Sequence, residues 1–318
     1  MGRITQLDFE GICRRYIAWY KTQDKKVDST WKEKERILLH YWVRFFDSLE
    51  GDMPIRIDQI TEDQIKTHLR SEIAAGKKAS VNRQHAVLRA MFSWLVGEGI
   101  LSKNVAKFPK VYEEGEGRTR FLTMKEFKLV WKKIPSVRKS EAVQVAITML
   151  AYTGARRSEV VKACWDNVDL DAGTWYIPEK DAKTKKPRTV FLAPSLVVLL
   201  EAWEAQDTSD GFGYLFKGRA IDGKEPTHMH ANALNELSSS LRDALPKQEQ
   251  WTIHDLRTSC GTHLMRLGCD RLTLKKILGH STGGKADVTN RYDQYERSAE
   301  RKVYMELWGE ELAKYIAE

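Results

Sequence analysis

One stretch of the sequence, residues 251–265, combines side chains that could bind an anion and move protons. It reads WTIHDLRTSCGTHLM and places His254 and Arg257 three residues apart in a pattern typical of a helix. Residues at this spacing are neighbours on one helix face. A guanidinium is a planar, permanently charged donor that suits phosphate, and an imidazole titrates near neutral pH. A lone histidine is usually structural, so this pair indicates a site only if other parts of the chain join it.

A second stretch, residues 277–295, supplies another histidine followed by two tyrosines. It reads ILGHSTGGKADVTNRYDQY. Gly279 predicts a helix C-cap, so His280 would lie just past a helix end. Tyr292 and Tyr295 follow it, and a tyrosine hydroxyl can form a covalent intermediate with a substrate.

Two basic segments lie earlier in the chain. In residues 153–159, TGARRSE, Gly154 is expected to end one helix, with Arg156 and Glu159 three residues apart on the next turn. Residues 180–188, KDAKTKKPR, form the basic tip of a predicted hairpin with Lys183, Lys185, Lys186 and Arg188. Taken alone, the first segment is more typical of a solvated surface pair and the second of a soluble turn.

The composition favours a globular protein with an anionic partner. The chain has 318 residues, enough for two domains of ordinary size, and 42% of them are hydrophobic. The net charge of +8 and pI of about 9.1 lean towards nucleic acid. No apolar run could span a membrane, and the N-terminus lacks the apolar segment of a signal peptide. The four cysteines show no paired or metal-ligand spacing, which favours free thiols in a reducing cytosol: Cys13, Cys164, Cys260 and Cys269.

Helical periodicity fills the first hundred residues. Four segments have apolar residues at helical spacing: FEGICRRYIAWYK, WKEKERILLHYWVRFFDSL, ITEDQIKTHLRSEIAA and SVNRQHAVLRAMFSWLVGEG. Thr61 is the expected N-cap of the third. A polar stretch with proline and glycine follows, so we expect a helical domain over 1–106, a linker over 107–119 and a second domain over 120–318.

The second domain is predicted to be mainly helical with one small sheet. Thr123 is expected to cap its first helix, and EAVQVAITMLAYTG is a strongly apolar helix. Three short runs of strand-forming residues, VDL, TWYIP and TVFLA, are separated by turn residues and predict an antiparallel sheet. The basic tip lies between the last two runs, and helices resume to the end. The fold class is therefore mainly α with a small antiparallel β-sheet.

Together these motifs resemble the tyrosine recombinases, the phage integrase family. The segments that carry the resemblance are TGARRSE, the lysine hairpin, IHDLRTSCGTHLMRLG, ILGH and VTNRYDQY, in the family's order and at roughly its spacings. A weaker likeness, ASVNRQHAVLRAMFSWLVGEGILSKNVA, is similar to the last helix of the family's core DNA-binding domain. Each motif is short, and the ordered set covers nearly the whole chain. The resemblance implies a helical core DNA-binding domain followed by an α+β catalytic domain.

The resemblance implies a set of phosphate-binding residues. Arg156 and Arg257 would grip the non-bridging oxygens of a DNA phosphate, as charged forks can do in a transition state. His280 would hydrogen-bond the same phosphate. Glu159 would orient the arginine region without touching DNA.

The resemblance also implies a nucleophile and two proton-transfer residues. Tyr292 would attack the phosphate and hold DNA as a 3′-phosphotyrosine. Lys183 would protonate the leaving 5′-oxygen, and His254 would accept or relay the tyrosine proton. No cofactor and no metal ion would be required, because the arginines supply the positive charge.

Three of these assignments have neighbours that could replace them. Arg157 lies beside Arg156, but the T-G-x-R-x-x-E pattern selects the latter. Lys185 is the second choice after Lys183 in the hairpin. Tyr295 is the second choice after Tyr292, which lies three residues after Thr289 as in the family's T-x-x-Y. The segment from His280 to Tyr292 is a few residues longer than is usual in the family.

The implied partners are double-stranded DNA and other copies of the chain in a tetrameric synapse. Accessory DNA-bending or directionality proteins are further expected partners, and a membrane is not. The four predicted helices leave no room for a separate arm-binding domain. Two other interpretations stay open: a DNA-binding protein without catalysis, and a metalloenzyme using His228, His230, His254 and His280.

The last expectation concerns residues 297–316, which follow the tyrosines and predict an amphipathic helix. The apolar residues at near-helical spacing are Val303, Tyr304, Leu307, Trp308 and Leu312. This face could pack on its own domain. The resemblance instead favours docking on a neighbouring protomer, which would make cleavage depend on assembly.

The choice of nucleophile is testable by exchanging one hydroxyl. Tyr292→Phe should bind DNA normally and form no covalent protein–DNA complex on a denaturing gel, because phenylalanine has no attacking oxygen. Tyr295→Phe is the matched control and should form the complex. The reverse outcome would move the nucleophile to Tyr295.

Overall fold

The chain forms two compact units, Met1–Gly117 and Arg118–Glu318, each with its own hydrophobic core. The computed structural model describes residues 8–23, 28–49, 55–113, 119–137, 139–206, 213–218, 227–247, 250–280 and 295–316. Across these ranges no helix is both long and apolar enough to cross a membrane.

The N-terminal unit is built from the four helical segments that the sequence predicts. They form α1 (Phe9–Thr22), α2 (Asp28–Ile37), a π-helical segment (Leu38–Val43), α3 (Arg44–Asp47), α4 (Glu62–Ala74) and α5 (Lys78–Gly97), with a 3₁₀ turn at Ile57–Gln59. The second predicted helix is thus continuous from α2 to α3 through π-helical geometry. Thr61 caps α4: its hydroxyl accepts from the Gln64 N–H at 3.2 Å, and the Gln64 side chain accepts from the Thr61 N–H at 2.8 Å.

The N-terminal core extends further along the chain than expected. Ala106 and Phe108 are buried in it, and the Phe108 ring stacks on His85 at 4.1 Å. His85 also hydrogen-bonds the Ala106 carbonyl at 2.8 Å through Nε2. Phe108, which lies within the predicted linker, therefore packs on α5 through His85, and the bounds of the linker stay a prediction.

The C-terminal unit surrounds a helical core. Its helices are α6 (Met124–Lys133), α7 (Glu141–Thr153), α8 (Arg157–Val160), α9 (Pro194–Glu204), α10 (Asn232–Ser240), α11 (Ile253–Arg266), α12 (Arg271–Leu278) and α13 (Ser298–Ile316). Short 3₁₀ turns lie at Ile134–Ser136, Trp165–Asn167 and Arg242–Ala244. Thr123 caps α6 as predicted, accepting from the Glu126 N–H at 3.3 Å.

The sheet matches the three predicted runs. Strands β1 (Val168–Asp169), β2 (Thr174–Ile177) and β3 (Arg188–Phe191) pair antiparallel in that order. Trp175 pairs with Val190, and both are buried, whereas Tyr176 is exposed on the opposite face. Ile177 pairs with Arg188 where the two strands separate, so the lysine-bearing segment projects from that end of the sheet. The mainly α fold with a small antiparallel sheet is confirmed.

Helix α13 packs on its own unit, which contradicts the expected docking on a neighbouring protomer. Trp308 is fully buried, stacks on His263 at 5.3 Å, and donates from Nε1 to the Ala151 carbonyl at 3.1 Å. Gly309 lies so close to α9 that an added Cβ would be 2.1 Å from the Ala193 Cβ. The face is also rotated from the predicted one, because Val303 and Leu307 are exposed and Met305 is buried instead.

The position of α13 predicts a large effect of one core substitution. Trp308→Ala should lower the free energy of unfolding of the C-terminal unit by roughly 3–5 kcal/mol, since it opens a cavity and removes a buried hydrogen bond. Leu307→Ala, one residue earlier and 40% exposed, should change it by less than about 1 kcal/mol. Urea unfolding followed by circular dichroism measures both. Equal small effects would mean that α13 is not part of this core.

Candidate active site

A cleft of about 390 Å³ lies where the corner between α7 and α8, the β2–β3 segment and the start of α11 meet. Four of the six predicted site residues line it: Arg156, Lys183, His254 and Arg257. The other lining residues are Ala155, Arg157, Ser158, Asn235, Thr252 and Ile253. These side chains come from positions up to about a hundred residues apart, so the fold brings together motifs that the sequence presents separately.

Arg156 is fixed by the corner between α7 and α8. Gly154 ends α7 in the left-handed conformation, with φ +58°. Arg156 then caps α8, and its backbone N–H donates to Glu159 Oε2 at 2.9 Å. Its guanidinium donates to Glu159 Oε1 at 3.0 Å and to the Gly279 carbonyl at 3.2 Å. Arg156 is thus held by Glu159 on one side and by Gly279 on the other. Its neighbour Arg157 lines the same cleft.

Glu159 is a buried carboxylate between two arginines. Its side chain is 0% exposed, and Arg188 donates to both of its oxygens, at 3.1 and 2.8 Å. Burial alone would raise the pKa of Glu159. The hydrogen bonds and charge of Arg188, with the hydrogen bonds of Arg156, outweigh burial and lower the pKa to about 2. The carboxylate is therefore ionised at neutral pH.

Arg257 is held by the ends of two helices. Its side chain is buried, and it donates from Nη1 to the Gly154 carbonyl at 2.6 Å and from Nη2 to the Leu278 carbonyl. These carbonyls lie at the C-termini of α7 and α12, where unpaired acceptors and the helix dipole favour a cation. Burial and the nearby charges of Arg156 and Arg188 lower the pKa of Arg257 to about 10, so it stays protonated at neutral pH.

Both predicted site histidines carry lowered pKa values. His254 lies in the first turn of α11, and partial burial followed by the charge of Arg257 lowers its pKa. His280 follows Gly279, which ends α12 with φ +59° as expected, and its pKa is lowered by partial burial and by Arg257 and Arg156. Both rings are therefore neutral at pH 7. A neutral ring can accept a proton at one nitrogen and donate a hydrogen bond from the other.

The hairpin lysines separate in space. Lys183 lines the cleft, whereas Lys185 and Lys186 are exposed and do not line it. Lys185 lies at φ +54°, which turns the chain between the two strands. The charge of Lys183 contributes to the lowered pKa of His254, so the two are near each other.

Of the two tyrosines, Tyr292 lies outside the described residues. Tyr295 is described: it is 57% exposed, and its hydroxyl donates to the Glu300 carboxylate at 3.0 Å. That hydrogen bond raises the pKa of Tyr295, which is the opposite of what a nucleophilic phenolate requires.

The histidines of the metalloenzyme interpretation are engaged locally. His228 contacts the Met229 carbonyl at 2.9 Å through Nδ1, and His230 Nδ1 accepts from the Asn232 N–H at 3.3 Å. In the part of the chain that the structure describes, no three histidine, cysteine or acidic side chains are grouped to hold a metal ion.

Sequence reasoning missed two features of this site. The pairing of Arg188 with Glu159 joins residues that no local spacing rule connects, although Arg188 was visible as the last cation of the hairpin tip. Asn235 reaches the cleft from α10, and nothing in its sequence context marks it. Both contacts arise from the packing of distant elements.

The arrangement matches a known family. A model of the phage integrase family matches residues 120–297, more than half of the chain. The chain belongs to the phage integrase family. Among curated relatives, it is similar to the integrase of Escherichia phage P2, with 26% identity over 225 residues that cover 70% of this chain and 58% of the relative.

Two further comparisons concern the sequence and the fold. The integrase of Haemophilus phage HP1 is 27% identical to this chain over 246 residues, which cover 76% of this chain and 64% of the relative. The chain therefore spans about three fifths of the length of both phage integrases. A lambda integrase dimer bound to a COC′ core site has the same fold, with a TM-score of 0.67, 18% identity, and coverage of 86% of this chain and 96% of that one.

The corner that holds both arginines predicts a strict requirement for glycine. Gly154→Ala should destabilise the C-terminal unit, because an added Cβ would lie 2.8 Å from Cys260 Sγ on a backbone with positive φ. We expect a loss of roughly 2–4 kcal/mol, the left-handed backbone contributing about 1–2 kcal/mol of it. Gly268→Ala is the matched control, since Gly268 also has positive φ but no atom within 4 Å of an added Cβ. Equal losses in urea unfolding would show that the close approach to Cys260 does not matter.

Proposed function

We propose that this phage integrase family member is a site-specific DNA recombinase of the tyrosine type. It would cleave and rejoin DNA through a 3′-phosphotyrosine intermediate and carry out integration, excision or resolution between short sites. The observation that carries the proposal is the cleft with two arginines fixed by a buried glutamate and by helix C-termini, beside Lys183 and two neutral histidines. The similarity to the integrases of Escherichia phage P2 and Haemophilus phage HP1 supports the proposal.

The phosphate would be bound by preorganised charge. Each Nη of Arg156 and Arg257 carries two N–H groups, and the carboxylate or carbonyl contacts occupy one on each nitrogen. The remaining N–H groups can face non-bridging oxygens, where negative charge grows in the transition state. Since both arginines are already held in place, little reorganisation is needed at the moment of reaction. His280, beside Arg257 and Arg156, would add one hydrogen bond.

The covalent step would exchange one ester for another. The Tyr292 oxygen attacks phosphorus, the bond from phosphorus to the 5′-oxygen breaks, and the 3′-phosphate stays on the tyrosine. His254, neutral at pH 7, accepts the tyrosine proton, and Lys183 gives a proton to the departing 5′-oxygen. Attack by a 5′-hydroxyl reverses these steps and rejoins the strand. The chemistry uses no cofactor and no metal ion.

The partners in this proposal are double-stranded DNA and further copies of the chain. A net charge of +8 favours binding to the phosphate backbone, with affinity that falls steeply as salt rises. A lambda integrase tetramer bound to a Holliday junction, similar in fold with a TM-score of 0.67, supports a four-subunit synapse. We assign core-site binding to residues 1–106 and catalysis to 120–318, in the cytoplasm of a prokaryotic host. Accessory DNA-bending or directionality proteins would act at the synapse.

A nicked suicide substrate tests the proposal. The short fragment beyond the cleavage point diffuses away after attack, so religation cannot occur and the covalent complex accumulates. Candidate DNA flanking the gene of this chain supplies the sequence, and an unrelated duplex is the control. A band that survives denaturant and disappears after protease treatment is the expected result. DNA binding without such a band would favour the non-catalytic DNA-binding protein.

The role of Lys183 predicts a substrate-dependent defect. Lys183→Ala should cleave ordinary DNA slowly, by roughly 10²–10⁴-fold, because the leaving 5′-oxygen needs a proton. On DNA with sulfur at the bridging 5′ position the defect should largely vanish, since a thiolate leaves unprotonated. Lys185→Ala is the matched control and should cleave both substrates normally. Equal defects of Lys183→Ala on both substrates would move the proton donor elsewhere.

A further inference from the structure

Arg188 belongs to one segment of the cleft and contacts two others. It begins β3, five residues after Lys183, so it anchors the returning end of the lysine-bearing segment. Its two Nη atoms donate to both oxygens of Glu159, the carboxylate that also holds Arg156. Its aliphatic part lies against Gly279, where an added Cβ would be 2.7 Å from the Arg188 Cδ. Gly279 in turn precedes His280 and supplies a carbonyl to Arg156.

The burial of Arg188 is typical of an internal tie rather than a DNA contact. Its side chain is 9% exposed, and that of Glu159 is 0% exposed. A bidentate contact of this kind fixes the carboxylate in plane and direction, which a single hydrogen bond cannot do. With both Glu159 oxygens oriented by Arg188, their remaining lone pairs face the backbone N–H and the Nη1 of Arg156.

We propose that Arg188 is a positioning residue of the active site: by holding the Glu159 carboxylate it sets the direction of the Arg156 guanidinium, without touching DNA itself. The inference rests on the recombinase function proposed above. It assigns a role in the reaction to a residue that neither binds the phosphate nor transfers a proton.

The charges around Glu159 explain what removal of Arg188 would do. The carboxylate faces Arg156 from its own corner, Arg188 from β3 and Arg257 from α11. Without Arg188, burial would act against fewer opposing charges, and the pKa of Glu159 would rise from about 2. A protonated Glu159 has lost an acceptor for Arg156. The phosphate-binding pair Arg156 and Arg257 would then be intact above the new pKa of Glu159 and weakened below it.

The test measures the rate of covalent complex formation from pH 5 to 8 on the suicide substrate at saturating protein, as a ratio to the unmodified chain. Loss of Arg188 also raises the pKa of His280, because the charge of Arg188 contributes to lowering it, and the double variant with Glu159→Gln keeps this effect while removing the Glu159 carboxylate. For Arg188→Gln the ratio should fall as pH falls, approaching tenfold per pH unit below the new pKa of Glu159. The double variant Arg188→Gln with Glu159→Gln should give a low ratio with a smaller dependence on pH, because position 159 no longer titrates. DNA affinity should change less than about twofold.

Two further variants separate positioning from general stability. Arg188→Lys keeps a positive charge but not the two-pronged contact, so it should give a pH-independent ratio reduced about tenfold. It also carries the test if Arg188→Gln does not fold. Arg120→Gln is the matched control, because Arg120 contacts Glu126, another mostly buried carboxylate whose pKa it lowers against burial. This control should give a ratio with no pH dependence.

The outcomes distinguish the two proposals. If the unmodified chain forms no covalent complex on its DNA, the recombinase function fails. If it does so and Arg188→Lys matches its rate, the positioning role of Arg188 is wrong. The same pH dependence in the double variant would likewise overturn the role, because the titrating group would then not be Glu159.

Discussion

The buried carboxylate of Glu159 is the interaction on which the arrangement of the candidate active-site cleft depends. A carboxylate with no exposed surface is stable only when it is paired and hydrogen-bonded. Arg156 and Arg188 supply those partners from two segments, the corner before α8 and the start of β3. The buried charge therefore fixes the distance between the sheet and the helical corner. It does so at the point where Lys183 and Arg156 line the same cleft.

Arg257 follows a different rule, because its partners are backbone carbonyls instead of an acidic side chain. The left-handed glycines that end α7 and α12 leave carbonyl groups of the last turns unpaired within their helices. Arg257 takes one from each helix end and so joins the two turns. Neutral carbonyls hold the guanidinium without cancelling its charge. The buried guanidinium therefore keeps its full positive charge beside the cleft.

Helix α13 returns the chain to the core after the tyrosine-bearing segment. Arg301, in its first turns, is buried and donates to the Thr189 carbonyl of β3. Glu296 lies 3.1 Å from Lys276 of α12 and 3.6 Å from Arg301. The residues just after the undescribed range 281–294 are therefore tied to β3 and α12, the elements next to Arg188 and His280. Burial of Trp308 further along α13 anchors this connection within the same unit.

The sequence by itself determined the elements and the chemical types at the site. Helical periodicity, the Thr61 and Thr123 caps, the glycine stops at Gly154 and Gly279 and the three strand runs all depend on residues close in the chain. The ordered motifs also indicated the family, because their residue types and their order can be recognised from the sequence without the structure. The identity of the nucleophile, Tyr292 in the sequence prediction, stays a prediction.

Only the tertiary structure decided which of these groups meet. Arg188 and Glu159 are 29 residues apart, and Arg257 is 103 residues from Gly154, which supplies one of its two carbonyl partners. Such contacts depend on how a sheet end, a helix corner and two helix C-termini pack, and no spacing rule encodes that. The prediction of which face of α13 is buried was wrong for the same reason. An apolar periodicity is compatible with burial of several faces, and the shape of α6, α7 and α9 selects one of them. Packing also moved Phe108 from the expected linker into a core, because a ring beside His85 is stabilised by leaving water.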